Sequence, residues 1–406
     1  MKLSSGSLLF IIIAFSALTK LIYVSSFTDL HNINYYEYGQ LAKNMCGGNG
    51  YSMRHPSHWN ENDLTHSEII YKSAYMSPGY AFFLCPFFLI ENEYIRNLAV
   101  IFVQILISCL LLMVLFDLSK KIFSRFTAFL TIIIAGFLPE FIYSATNIQT
   151  TLFYQLGITV LLFFLYKIND DINNKKIIIA IGVISGLMVL IRSEMILFLL
   201  IVVAYLVVKK NLKLSLTIAA IAFLIFLPWQ IRNYSTFGEI VPFTTSGGLN
   251  FYRGHNPYAV GVWGDSLIFN KLSDLRKEEN FEVLANKFYF ESAVISITNN
   301  PVKELTYPFI KLYYLWIISP YDTRSYNLFY LVPWVLLLPL FIYGLIKSAN
   351  LKKHKFAYLF LIYFSLIAIL FFVLPRYQTI MKILLIPFAA YSIELIWKKF
   401  LPKNSI

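Results

Sequence analysis

Long apolar runs recur along the whole chain, and what separates them alternates between short basic stretches and longer polar ones. Runs at about 7–25, 95–117, 127–145, 150–167, 176–191, 194–208, 213–231, 326–346, 356–374 and 378–396 approach the ~20 residues that let a helix cross a bilayer. Ten such runs predict an all-α polytopic membrane protein with both termini on one side. The first run, Ser7 to Ser25, follows Lys2 as a secretory leader would. It is long, contains Lys20 and is followed by no small-x-small cleavage site, so it predicts a retained span. Pro78 to Ile90 and Leu305 to Ile318 are apolar but short, and predict helices lying in the interface.

Threading the spans alternately places Lys120, Lys121 and Arg125, then Lys167, Lys175 and Lys176, then Lys209, Lys210 and Lys213 on the face of Lys2. Lys347, Lys352, Lys353 and Lys355 join them there, as do Lys398, Lys399 and Lys403. The positive-inside rule makes that face the cytoplasm. The expected organisation is one membrane-embedded domain over residues 1–406, with two long outer-face loops at 26–94 and 232–325. Long loops on a rigid scaffold carry function, so the working surface is expected to face outward.

Composition agrees with the pattern. A hydrophobic fraction of 58% against 14% charged residues excludes a soluble globular protein. The net charge of +12 is largely accounted for by the short basic loops, so it does not argue for nucleic acid. Cys46, Cys85 and Cys109 are too few and too scattered for a disulfide framework.

The candidate chemistry lies at the outer edge of the spans. Asp29 stands where the first span ends, and Glu37 follows in a helix-compatible stretch rich in tyrosine. A carboxylate at a helix mouth can be partly desolvated and serve as a general base. Arg192, Arg232, Arg253, Arg376 and Lys382 lie in or near the outer-face segments, against the positive-inside bias. Arginine holds phosphate bidentately and stays charged, which suits this set to a phosphate or pyrophosphate leaving group. Lys382 falls inside a span, where a charge is costly. His55, His58 and His66, with Asp63 and Glu68 nearby, have spacings that could ligate a divalent metal. The chemistry does not require one, because fixed cations can supply the same electrostatics.

The run Pro228-Trp229-Gln230-Ile231-Arg232-Asn233-Tyr234, with Phe237-Gly238-Glu239-Ile240-Val241-Pro242 and Gly247 to Pro257 after it, resembles part of the GT-C superfamily of membrane glycosyltransferases. The likeness is to the family 39 group, related to protein O-mannosyltransferases and the lipid A aminoarabinose transferase. Tyr38, Ala42, Asn44 and Gly50-Tyr51-Ser52, then Ser77 to Tyr80, Leu190 to Glu194 and Pro375-Arg376-Tyr377 agree in order. The resemblance implies a GT-C-like helix bundle. It further implies inverting transfer of a sugar from a polyprenyl-phosphate-linked donor to an acceptor hydroxyl on the outer face of a bacterial cytoplasmic membrane. The acceptor would be a protein, a lipid or a glycan, and no cofactor is implied.

The sequence departs from the family at Asn34, where relatives often carry an acid, which leaves Asp29 or Glu37 for the base, and at Gln149, where a Glu is common. Arg192, Arg232, Arg253, Arg376 and Lys382 would then hold the donor phosphate. Tyr35, Tyr36, Tyr38 and Trp263 could stack on sugar, with Asn233 and Tyr377 lining the substrate. A transporter or flippase for a lipid-linked or anionic substrate would use the same cations, as would a glycan ligase or polymerase. The transporter predicts paired repeats with broken helices, and no repeat is present in the sequence.

Overall fold

A computed structural model of the chain describes residues 4–54, 70–168, 170–260, 275, 280–349 and 351–400. Each predicted apolar run is helical. The chain enters as α1 (Ser5–Phe27) and crosses one face of the bundle as α2 (Tyr36–Asn44), β1 (Ser52–Arg54), β2 (Ile70–Lys72) and α3 (Pro78–Leu84). It returns as α4 (Glu93–Ile122), α5 (Arg125–Phe137), α6 (Pro139–Thr146), α7 (Thr151–Lys167), α8 (Lys175–Ile191), α9 (Met195–Val208) and α10 (Leu212–Phe237). A second excursion carries α11 (Gly247–His255), α12 (Phe281–Asn299) and α13 (Pro301–Trp316), and α14 (Leu328–Lys347), α15 (Leu351–Leu370) and α16 (Pro375–Phe400) follow.

Six helices among the described residues, α1, α4, α10, α14, α15 and α16, are long and apolar enough to cross a membrane alone. The pair α5 and α6, bent by 60° where Pro139 cannot continue the ladder, makes a seventh. The remaining three runs are shorter than a full crossing: α7 and α8 have 17 residues and α9 has 14. At ~1.5 Å per residue they reach roughly 26 and 21 Å against a hydrocarbon core of ~30 Å. The run ending at 231 in the sequence reading is in turn longer than expected. Arg232 and Asn233 continue α10 to Phe237, and the left-handed Gly238 (φ 65°) stops it.

Packing inside the bundle relies on close backbone approach. α14 lies along α16, and a Cβ at Gly344 would stand 2.1 Å from the Phe388 carbonyl oxygen. Small residues at such crossings are what let membrane helices associate without a hydrophobic driving force. On the loop face, the β1–β2 ribbon pairs Ser52 with Lys72 and Met53 with Tyr71, and Arg232 secures it. The guanidinium donates to the carbonyls of Ser73 (2.6 Å) and Tyr51 (2.7 Å) and packs on the Trp229 ring at 5.0 Å. Buried Glu282 of α12 joins the same strand to the second excursion. It accepts from Ser73 Oγ (2.6 Å), Ala74 N (2.9 Å) and Thr245 Oγ1 (2.7 Å), and burial pushes its carboxyl up despite these donors.

Cys46 and Cys85 form a disulfide, their Cα atoms 5.5 Å apart, and Cys109 is free. The expectation of no disulfide framework is corrected to one bridge. Its partners are 39 residues apart and meet only because α2 folds against α3 and the 3-10 turn Cys85–Leu89. Closing a loop of that size is worth ~4 kcal/mol. Cys46→Ser/Cys85→Ser is therefore expected to lower the thermal midpoint of the purified protein, as reductant should for the wild type. A midpoint unmoved by either change would mean that the bridge does not stabilise the fold.

Candidate active site

Three segments converge beside α2. α2 starts abruptly: Tyr36 has φ 52°, in the left-handed region disfavoured for a bulky residue, and its N–H donates to Asn34 Oδ1 at 2.7 Å. That kink folds Tyr35 back over Gly39, where a Cβ would stand 2.2 Å from the Tyr35 Cβ. Asn34 thus serves as a backbone cap for α2. Tyr38, one turn on, stacks edge-on against Tyr80 of α3 at 5.3 Å. Tyr80 is itself fixed by donating its hydroxyl to Gln104 Oε1 of α4 (2.8 Å).

The second segment is the turn between α8 and α9. Arg192 donates from Nε to Glu194 Oε1 (2.7 Å) and from a terminal nitrogen to Thr150 Oγ1 (3.3 Å), and stands 5.5 Å from the Tyr154 ring centre. Beneath it the hydroxyls of Tyr154 and Tyr363 are hydrogen-bonded at 2.5 Å. α3 rests on this turn: Ser193 N donates to Ser77 Oγ (3.2 Å), and a Cβ at Gly79 would come 2.8 Å from the Leu190 carbonyl oxygen. The third segment is the first turn of α16, which carries Arg376 and Tyr377.

The Tyr38 phenol lies within electrostatic reach of Arg192, Glu194, Glu37 and Arg376, and desolvation pushes it up to about 12. Arg192 in turn has Glu194, Tyr377, Tyr38 and Tyr154 around it. Glu37, Tyr38, Arg192, Arg376 and Tyr377 are therefore brought together. The set offers two guanidiniums, two carboxylates and two phenols at the loop-face end of the bundle, which can hold an anion and move a proton beside it.

The other predicted residues lie elsewhere. Asp29 is exposed at the exit of α1, where Oδ1 accepts from His31 N (3.0 Å) in a turn. Tyr35 donates to Asn97 Oδ1 (2.5 Å). Arg232 spends its guanidinium on backbone carbonyls, and Asn233 is fully buried, accepting from Arg232 and donating to Val241 O at 3.4 Å. Both tie the end of α10 to the loop face. Arg253, on α11, is buried near Asn250 and the Phe372 ring. Lys382 is ion-paired with Glu140, both buried, with Thr379 Oγ1 donating to the same carboxylate at 3.1 Å. An acid inside the run 127–145 was the signal that could have found Glu140 from sequence, since an intramembrane charge needs a partner.

Among the described residues no group of three or more His, Cys, Asp or Glu could hold a metal. The candidate ligands His55, His58, Asp63, His66 and Glu68 lie outside the described residues, as does Trp263.

A family model described as dolichyl-phosphate-mannose-protein mannosyltransferase matches residues 76–231, which include α3, α4 and the Arg192 turn. No curated protein is detectably similar in sequence. Among solved structures, the apo oligosaccharyltransferase of Archaeoglobus fulgidus overlays with a TM-score of 0.57 at 13% identity, covering 96% of this chain and 51% of that one. The archaeal oligosaccharyltransferase AglB from the same organism, in complex with an inhibitory peptide and a dolichol-phosphate, gives 0.54 at 12% identity, with 96% and 50% covered. The chain thus spans about half the length of the archaeal proteins it overlays. ArnT from Cupriavidus metallidurans bound to undecaprenyl phosphate gives only 0.44, at 11% identity over 98% of this chain and 82% of that one.

Proposed function

We propose that this chain, which has the fold of the GT-C superfamily of integral-membrane glycosyltransferases, transfers a sugar from a polyprenyl-phosphate-linked donor to an acceptor hydroxyl. The observation that carries the reading is the convergence of Glu37, Tyr38, Arg192, Arg376 and Tyr377 at one end of a membrane bundle. Arg376 binds the donor phosphate and, with Arg192, stabilises the charge that develops as the glycosidic bond breaks. Glu37 removes the acceptor proton as its oxygen attacks the anomeric carbon from the opposite side, giving inversion. Tyr38 and Tyr377 flank the sugar. The fixed guanidiniums supply the electrostatic work that a metal would otherwise do. The prenyl chain lies among the spans, so the protein meets its donor in the bilayer and its acceptor from water.

The loop face is the outer face of a bacterial cytoplasmic membrane, with both termini in the cytoplasm. Two observations support this orientation: the basic short loops lie at the opposite end of the spans, and the Cys46–Cys85 disulfide on the loop face fits an oxidising compartment.

The test is transfer of radiolabelled sugar from a panel of hexose- and pentose-bearing polyprenyl phosphates to endogenous acceptors in membranes containing the protein. Label accumulating with one donor, and lost in Glu37→Gln, is the expected result. The reading falls if every donor gives only the background of membranes lacking the protein.

A further inference from the structure

A cluster of charged groups outside the candidate site grips the end of α15. Helices leave their last carbonyls without intrahelical partners, and cations are the favoured company there. At α15 these carbonyls are taken by side chains of the second excursion. Lys311 of α13, fully buried, donates from Nζ to the Ile369 carbonyl (3.0 Å). His255 of α11, 9% exposed, meets the Leu370 carbonyl through Nε2 (3.1 Å) and Glu304 Oε2 of α13 through Nδ1 (2.6 Å). The next residue is held by contact, since a Cβ at Gly254 would stand 2.6 Å from the Phe371 carbonyl oxygen. Arg253 lies over the Phe372 ring at 6.0 Å. Four consecutive residues, 369 to 372, are therefore pinned by α11 and α13, and Arg376 follows four residues later.

The His255 contacts also fix a proton count. A carbonyl and a carboxylate both accept, so the two bonds together need two protons on the His255–Glu304 pair, one more than a neutral imidazole beside a carboxylate supplies. Removing that proton costs one of the two bonds. The charged groups around the pair are Lys311 and Lys303 of α13 and Arg253 on its own helix, while α15 presents only backbone carbonyls. Burial first, and then the Lys311 ammonium, push the imidazole below its ordinary value, against Glu304 and the Leu370 carbonyl. The doubly bonded state is consequently an acid-side state, lost as pH rises.

We propose that His255, Glu304 and Lys311 are positioning residues for Arg376: they hold the last carbonyls of α15, fix the turn from which Arg376 reaches the site, and loosen when the His255–Glu304 pair gives up its proton. The proposal rests on the phosphate-binding role assigned to Arg376 above.

The test is hydrogen exchange of residues 367–378 in lipid nanodiscs at about pH 5.5 and about pH 8, either side of the ordinary histidine range. Wild type, His255→Gln, Glu304→Leu and Lys311→Met are compared, with thermal unfolding to confirm that each is folded. Affinity for undecaprenyl phosphate is measured on the same samples. The probe's own phosphate titration is common to all of them and cancels in each variant-to-wild-type ratio.

Relative to the intrinsic base-catalysed rate at each pH, wild type should be more protected at the acid pH than at the higher one, and the two dyad variants should be weakly protected at both. Affinity of the variants at the acid pH should fall by roughly tenfold, the equivalent of one charge-assisted hydrogen bond. Should His255→Gln fail to fold, Glu304→Leu carries the comparison. Exchange unchanged in the folded variants overturns the proposal, and so does faster exchange with undiminished affinity while Arg376→Ala weakens binding. If Arg376→Ala itself binds the probe as wild type does, the phosphate role of Arg376 is what fails, and the positioning proposal falls with it.

Discussion

Arg376→Ala should lower sugar transfer by roughly 10²–10³-fold, with the folded protein intact. The residue opens α16 at the loop face, in reach of the Tyr38 phenol and across from the Arg192–Glu194 pair. Arg192 is already committed to Glu194 and Thr150, so its charge is largely answered within the protein. Arg376, in the first turn of α16, is the second guanidinium within reach of the Tyr38 phenol, and a fork at that place can bind a phosphate bidentately. A loss that appears in kcat and kcat/KM alike would place its contact in the transition state, whereas a rise in KM alone would assign it to ground-state binding of the donor. Arg376→Lys should recover only part of the activity, because an ammonium cannot reproduce the bidentate fork. Steady-state transfer with the active donor decides the matter, and full activity in Arg376→Ala would remove this residue from the mechanism.

The second large effect concerns stability. Lys382 and Glu140 form an ion pair deep in the bundle, with side chains 0% and 1% exposed. Lys382→Met leaves Glu140 with a charge and only the Thr379 hydroxyl to answer it, a change that typically costs 3–5 kcal/mol, so about 4 kcal/mol is expected here. The double variant Lys382→Met/Glu140→Leu removes both charges and keeps the volume, and should recover most of that loss. Thermal unfolding of wild type, Lys382→Met, Glu140→Leu and the double variant in one detergent gives the cycle. If the single and double variants are equally destabilised, the pair contributes through packing and not through charge. If Lys382→Met abolishes transfer while unfolding like wild type, Lys382 belongs to the chemistry after all.

These two residues also mark how far the sequence could be read. Helical runs were legible because a membrane makes the rule local: enough consecutive apolar residues must satisfy their own backbone bonds. Lys382 was legible as an anomaly for the same reason. Glu140 is legible as a second intramembrane charge, but that the two pair is not, because the meeting of α6 with α16 is a tertiary fact. The cations show the same division. Position near the outer-face segments selected all five, but only the folded chain separates Arg192 and Arg376, which meet at Tyr38, from Arg232, whose guanidinium ties down the β1–β2 ribbon. Along the chain Asp29, where the first span ends, is the leading candidate for the base and Glu37 the alternative, and only the folded chain shows Glu37 within reach of the Tyr38 phenol beside Arg192. Cys46 and Cys85 were passed over because nothing in their spacing brings them together.

The Glu140–Lys382 pair also sets an order on how the protein is made. The two residues are 242 positions apart, Glu140 just after the Pro139 break and Lys382 on the last described helix. While the chain is being synthesised, Glu140 reaches the bilayer long before the only lysine that answers it exists. An unpaired carboxylate in hydrocarbon is costly enough to keep its segment out of the lipid or protonated there. α6 therefore cannot settle into its final place until α16 has been inserted. The arrival of α16 therefore completes the buried ion pair and in the same step brings Arg376, in the first turn of that helix, to the loop face.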